Sequence, residues 1–461
     1  MLKRILAGLA TSALVAVVAG TAPQPTQAAA SPTQTYDYVV SLTGAADDTL
    51  PSSQQSCRTP YSNRLQDALD DYTNGDTIFL CPGVYLGHFG QDDDASLTLV
   101  GADPATTIID GRNGADGDVA LWLSTDGGYL TVKNLTFRNG YSSDAWGAAI
   151  STNGAFNCVN SRFLNNHQVD GSGGAVWAGQ VSLDRCTFTG NEAEDYGGAV
   201  YAYDGVNCKN STFTNNIADE NDGNQGDGGA LYVEEYLESH RCTFKGNYAF
   251  RGGAVSAYYL TDYDGIYTSN SAEDLAGAIQ SRSGLDAYLY RSKFTSNYTV
   301  SDGFGEYWSG NGGAVSAWGY LYVYGAKFVS NYAAAQGGAI FADYFVETYR
   351  STYDRNESYI DGGAIAAWDD EVRVYDGNIF TKNRSGQLGG AIYSGSSIEV
   401  NQANVFKGNF ATDRALDLYR TDGGYSNANC SDVYLPNAVR GYWDMDGFHN
   451  GSQSFFVNNG C

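Results

Sequence analysis

Apolar and polar positions alternate in short runs along most of this chain, and the alternation repeatedly slips by one. Between Val181 and Phe188 the apolar positions are Val181, Leu183, Cys186 and Phe188, so the step from Leu183 to Cys186 is too long for a single strand. Alternation puts successive side chains on opposite faces, and the slip predicts two short strands meeting at a corner. A further alternating run begins after a Gly-Gly-Ala cluster, with Val200 and Ala202 expected inward and Tyr201 and Tyr203 outward. The cluster is predicted to open a third strand of each coil.

The runs recur because the whole unit recurs, about every 25 residues. Its small-residue half stands at Gly147, Gly173-Gly174, Gly197-Gly198, Gly228-Gly229, Gly252-Gly253, Ala276-Gly277, Gly312-Gly313, Gly337-Gly338, Gly362-Gly363 and Gly389-Gly390, each leading through Ala to Val, Ile or Leu. Its aromatic half runs Phe163, Phe188, Phe213, Phe244, Tyr267, Phe294, Phe328, Tyr353, Phe380 and Phe406, each with Asn three positions on, from Asn166 to Asn409. Glycine permits a tight corner, alanine narrows the wall and the aromatics fill the interior. The Asn suits a left-handed turn position, and stacked coils let its side-chain amides bond in a ladder. Such a unit cannot bury its apolar face alone and must stack on its neighbours. Parallel crossovers are right-handed in nearly all cases. The predicted fold is therefore all-β: a single right-handed parallel β-helix of roughly a dozen coils, about 60 Å long at one strand spacing per coil. Extra residues at Ala218 to Asp227 and Tyr298 to Asn311 must leave the stack as loops.

Residues 1–30 read as an export signal: Lys3 and Arg4, an apolar run from Ile5 to Gly20, and Ala28, Ala29 and Ala30 at the end. Residues 31–56 are polar and are expected to form a loosely held leader. Residues 57–140 should hold a cap and the first coils, opening with a short helix capped by Ser62 whose apolar face is Leu65, Ala68, Leu69 and Tyr72. The repeats occupy 141–410, and 411–461 form a C-terminal cap. The 52 residues after Asn409 are too few for eight barrel strands of about ten residues, so free secretion or retention through a partner is expected. No transmembrane segment is expected after signal cleavage.

The formal net charge of −26 becomes about −28 once Lys3 and Arg4 are removed. Nucleic acid and anionic membrane surfaces need a basic footprint and are poor partners, and no nucleic acid is expected. An exported chain with eight cysteines and no CxxC pair favours disulfides over metal sites. Cys57 and Cys81 bracket the first folded segment, and Cys430 and Cys461 the last. Cys158 with Cys186, and Cys208 with Cys242, share one offset between successive repeats. They are either staples between neighbouring coils or inward thiols filling space.

The pairing of GGA[IVL] with an aromatic-x-x-Asn unit from Gly147 to Asn409 resembles the repeats of chlamydial polymorphic outer-membrane proteins and related bacterial surface proteins. The preceding segment is similar to the first coils of pectin-lyase-like β-helices. It carries Asp67, Leu69, Gly75 to Ile78, Pro82-Gly83, Tyr85, Leu97 to Gly101 and Leu135 to Gly140. Both resemblances imply the same fold. The first implies adhesion, and the second includes polysaccharide lyases and hydrolases.

Chemistry should therefore lie in what varies between copies. Four residues after each motif Ala stands an outward column of Tyr203, Glu234, Tyr258, Arg282, Trp318, Asp343 and Trp368, a candidate face for an extracellular glycan or surface protein. The plainer reading is that strands favour such residues anyway. If the chain is an enzyme, Arg282, Asp343 and Asp369 are the candidates. A lyase of the resembling family would use an Arg or Lys base with Ca²⁺, and a hydrolase two or three carboxylates about 5 to 9.5 Å apart. Asp219, Asn221, Asp222 and Asp227 offer oxygen ligands for Ca²⁺, although Gly223 comes one residue early for an EF-hand loop. No other cofactor is expected. His88, His167, His240 and His449 lack ligand spacing, so neither zinc nor a Ser/His/Asp triad is supported. The expected function is a secreted or surface-associated, non-catalytic β-helix acting in adhesion or extracellular structure. The alternative is an extracellular polysaccharide lyase or glycoside hydrolase.

Overall fold

The computed structural model describes residues 36–42, Cys57 and 64–420, apart from 93, 112–118, 124–126, 144–145, 220–225, 285, 301–308, 370, 397, 401–403 and 413–417. These residues wind as a right-handed parallel β-solenoid with three sheets of 23, 13 and 11 strands. The 13-stranded sheet holds the aromatic of every repeat, as in Arg162–Leu164 and Thr187–Thr189. The predicted corner lies between Asp184 and Thr187, where Arg185 adopts φ 56°.

The strand expected after Gly-Gly-Ala is a separate one in some coils, such as Val315–Ala317 and Ile340–Ala342, whereas Val176–Asp184, Val200–Lys209 and Leu231–His240 run on without a break from the cluster toward the corner before the aromatic. Both runs thus share the 23-stranded sheet. The third sheet is built instead from strands mostly two residues long, beginning just after the ladder Asn, such as His167–Gln168 and Glu192–Ala193. Two residues are too few to show a period.

Inside the solenoid, the aromatics from Phe137 to Phe406 form an unbroken column. Ring centroids lie 4.5–5.2 Å apart and successive planes differ by 0–8°. Beside it, each side-chain amide from Asn166 to Asn383 donates to the next Asn Oδ1 at 2.8–3.0 Å. Asn191 shows the full pattern. Its Nδ2 also donates to the Phe163 carbonyl, and its Oδ1 also accepts the backbone N–H of Asn166, both at 3.2 Å. The left-handed conformation belongs to the residue before each ladder Asn, including Asn165 at φ 53°, Gly190 at 63° and Ser296 at 55°. That residue takes the bend and leaves the Asn side chain directed into the stack. At Gly198, a Cβ would meet the carbonyl oxygens of Ile217 and Gly229 at 2.2 and 2.3 Å, so the second glycine of the cluster is required by close approach of the coils.

Three disulfides form, Cys57–Cys81, Cys158–Cys186 and Cys208–Cys242, with Cα separations of 5.8, 6.3 and 6.4 Å. The two middle ones are staples between successive coils, which decides the choice left by the sequence. Cys430 and Cys461 lie outside the described residues. The helix spans Leu65–Asp71 and buries Leu65, Ala68 and Leu69, with Tyr72 buried just beyond its end. Its first flanking residue is Arg64, which provides no side-chain cap; Ser62 lies outside the described residues. Within the segment read as a leader, Tyr38–Val40 is a strand pairing with Ile78 to Leu80, because its apolar side chains extend the first coil. Residues 1–30, read above as an export signal, and residues 421–461 also fall outside the described residues.

Candidate ligand-binding face

Pairing across the 23-stranded sheet aligns Ala202, Val233, Ala257, Ser281, Ala317, Ala342 and Ala367 in one inward row. The residue after each lies outward, and backbone N–H groups of Arg282, Trp318, Asp343 and Trp368 continue the ladder at 2.9–3.1 Å. The predicted column is thus present, in the order Tyr203, Glu234, Tyr258, Arg282, Trp318, Asp343, Trp368. Aromatic and charged residues alternate coil by coil, a period the sequence reading did not register. Tyr203, Tyr258 and Trp318 stand proud at 61%, 41% and 46% exposure. The charged members sit lower. Arg282 reaches back two coils, donating to the Tyr232 hydroxyl and the Val233 carbonyl, both at 2.6 Å, with its guanidinium 4.1 Å from the Tyr232 ring centroid. Glu234 lies 3.7 Å from it.

Two positions before this column runs another, Trp177, Tyr201, Tyr232, Ser256, Gln280, Ser316, Phe341, Ala366 and Tyr393. Rings at its start stack, Trp177 on Tyr201 at 6.3 Å and Tyr201 on Tyr232 at 5.5 Å. Three successive coils then carry Ser256, Gln280 and Ser316 instead. Beside this break opens a cleft of about 310 Å³ lined by Arg251, Asp274, Leu275, Ser309, Ser316, Trp318, Phe341 and Asp343. Arg251 Nε and Asp274 Oδ2 pair at 2.7 Å on one wall. Asp343 Oδ1 and Ser316 Oγ are buried with no hydrogen-bond partner among the described residues. Burial, reinforced by the Asp369 carboxylate on the next coil, pushes the Asp343 carboxyl up to about 6. Arg251, Asp274 and Ser316 were not anticipated. Their one signal in the sequence is the small residue two positions after the motif Ala, where flanking repeats carry rings.

The sequence-stated catalytic trio is only partly assembled. Asp343 and Asp369 are neighbours, the Asp369 N–H donating to the Asp343 carbonyl at 2.8 Å, whereas Arg282 is turned the other way along the stack by its bonds to Tyr232 and Val233. Of the calcium candidates, Asn221 and Asp222 lie outside the described residues. Asp227 is buried, and burial pushes its carboxyl up to about 6 against the opposing pull of Arg251 and Arg282. Guanidinium neighbours make a poor cation site. Asp219 is raised by burial and by Glu273 and Glu192. Among the described residues no three His, Cys, Asp or Glu side chains gather as a metal site.

The two raised carboxyls set a direction for stability against pH. Each binds its proton more tightly in the folded chain than in the unfolded one, where an Asp titrates near about 3.9. The resulting stabilisation is complete below about pH 4 and lost as pH rises through about 6. The thermal midpoint should therefore rise between pH 7.5 and pH 5. Asp343→Asn should gain about 1 kcal/mol at pH 7.5, a figure reduced for solvent screening, with the gain shrinking toward pH 5. Differential scanning fluorimetry across that range checks both.

Three stretches of the chain match the Chlamydia polymorphic membrane protein repeat: residues 185–203, 210–234 and 379–395. The first two run from the aromatic strand through the ladder Asn and the glycine cluster to the outward column, ending on Tyr203 and Glu234. The third begins one residue before Phe380 and passes through Gly389 and Gly390. Each match therefore falls within one coil, covering the aromatic strand, the ladder Asn and the glycine cluster. Comparison with curated proteins finds no match. The repeat and the parallel β-helix together suggest a surface-associated protein of the polymorphic-membrane type. No helix among the described residues is long and apolar enough to cross a membrane.

Proposed function

We propose that this protein acts outside the cell or at its surface by binding an extended glycan along the outward column, and that adhesion is the result. The observation that carries this reading is the alternation of ring and charge. Tyr203, Tyr258, Trp318 and Trp368 recur every second coil, a spacing of about 9.6 Å at two strand separations. That length suits a polymer in which alternate sugar units present the same face. Aromatic faces pack on the apolar side of a sugar ring, and the intervening Glu234, Arg282 and Asp343 supply polar groups for its hydroxyls.

Titration calorimetry of the secreted form with oligosaccharides of increasing length tests the reading. Affinity should climb in steps of two sugars, and Trp318→Ala should weaken it at least about tenfold, a loss of about 1.4 kcal/mol. Binding indifferent to Trp318→Ala and Tyr258→Ala together would reject the column. New reducing ends released in the same mixtures, and abolished by Asp343→Asn, would assign hydrolysis instead.

A further inference from the structure

We infer that the cleft beside Trp318 receives a protonated amino group of the bound glycan, so that the preferred ligand contains hexosamine units whose nitrogen is not acylated. The inference rests on the glycan reading for the source of that group. The cleft lies at the end of a ringless stretch of the column: rings stand at Trp177, Tyr201 and Tyr232, Ser256, Gln280 and Ser316 follow, and Ser316 stands beside Phe341 where a further ring would close the space. Ser316 is fully buried, lines the cleft, and has no partner for its hydroxyl among the described residues.

Charge and hydrogen bonding specify what enters. Asp343 Oδ1 is an acceptor with no donor among the described residues, so a ligand must bring a donor. Two positive groups stand nearby, and both are engaged. Arg251 pairs with Asp274 at 2.7 Å, and Arg282 is held by Tyr232 and Val233 two coils away. Asp343 thus faces the cleft with the exposed Asp369 beside it, and the local balance is negative. A uronate or sulfate would add a like charge there, and a neutral acetamide would leave the carboxylate uncompensated. An ammonium group gains a charge-assisted bond to Asp343 and the aromatic faces of Trp318 and Phe341. At about 310 Å³ the cleft is at the low end of ligand sites, enough for one ring and its substituent.

The test compares β-linked oligomers of one length in three forms, a neutral glucan, an N-acetylhexosamine and a free-amine hexosamine, together with the free-amine monomer and polylysine. Each is titrated at pH 7 into wild type, Asp343→Asn and Ser316→Phe. The Ser316→Phe side chain matches the ring that Phe341 carries on the next coil. In wild type the free-amine oligomer should bind about tenfold tighter than the neutral one. Both variants should lose that preference, and Ser316→Phe should bind the neutral oligomer as wild type does. Equal affinity for amine and neutral oligomers would overturn the inference and leave the column intact, as would an amine preference that survives both variants. Monomer binding lost in Asp343→Asn, with no oligomer bound, would uphold the cleft and reject the column. Polylysine binding tighter than the hexosamine oligomer would make the occupant a protein side chain and overturn the proposal.

Discussion

Phe294→Ala, in the middle of the aromatic column, should lower the free energy of unfolding by about 3–5 kcal/mol. Its ring is fully buried and is stacked at 4.7 Å on both Tyr267 and Phe328. The change removes apolar surface and opens a cavity that neighbours on a fixed strand spacing cannot close. Each coil of a solenoid is stabilised largely through the coils on either side, so one vacancy weakens two interfaces. Urea denaturation of the two proteins gives the difference directly. A loss under about 1.5 kcal/mol would show that the column relaxes to fill the gap, against the rigid stacking described here.

Asn297→Leu should be about as damaging, near 4 kcal/mol, although it keeps the branched four-atom skeleton of the side chain and adds apolar character. Asn297 donates to the Tyr267 carbonyl at 3.1 Å and to Asn331 Oδ1 at 3.0 Å, and its Oδ1 accepts both the backbone and the side-chain N–H of Asn270. Leucine leaves the Tyr267 carbonyl and the Asn270 backbone N–H without these partners in a buried corner, at about 1–3 kcal/mol each. The rest of the expected loss comes from splitting one continuous ladder into two. Denaturant titration measures the total, and amide exchange at Asn270 should accelerate locally. A destabilisation below about 1 kcal/mol would mean that the ladder is incidental to the fold.

Much of this fold was legible because repetition amplifies weak local signals. A single Phe followed by Asn three residues later says little; ten of them predict a stacked core and an amide ladder, and both are present. What repetition could not assign was which residue takes the bend. Asn is the usual occupant of left-handed positions, yet the ladder needs its side chain turned inward, so the preceding residue adopts positive φ, even where it is Arg355 or Lys382. The 11-stranded sheet was not legible at all, since its mostly two-residue strands carry no period.

The outward column was legible from alignment of the copies, but the cleft was not. Its walls come from different parts of several coils: Arg251, Asp274 and Leu275 from the ends of two paired strands of the 11-stranded sheet, Ser316 and Phe341 from one strand position of the 23-stranded sheet, and Trp318 and Asp343 from another. It also depends on a missing ring, and absences are hard to see in a sequence rich in tyrosine. The raised carboxyl of Asp343 follows from burial and from Asp369, neither of which is visible until the coils are stacked.

The placement of the disulfides has a mechanical consequence. Among the described residues, all three lie before Phe244, so the coils from Cys57 to Cys242 are locked in part by covalent bonds and the later described ones are held by noncovalent contacts. Tension applied along the solenoid would therefore peel the later coils first. Each would release about 25 residues, or about 85 Å of extended chain, before the stapled half bore the load. A protein tethered by one end and gripping a polymer along its side would yield in steps under load, with its anchored half intact if the tether lies at the stapled end.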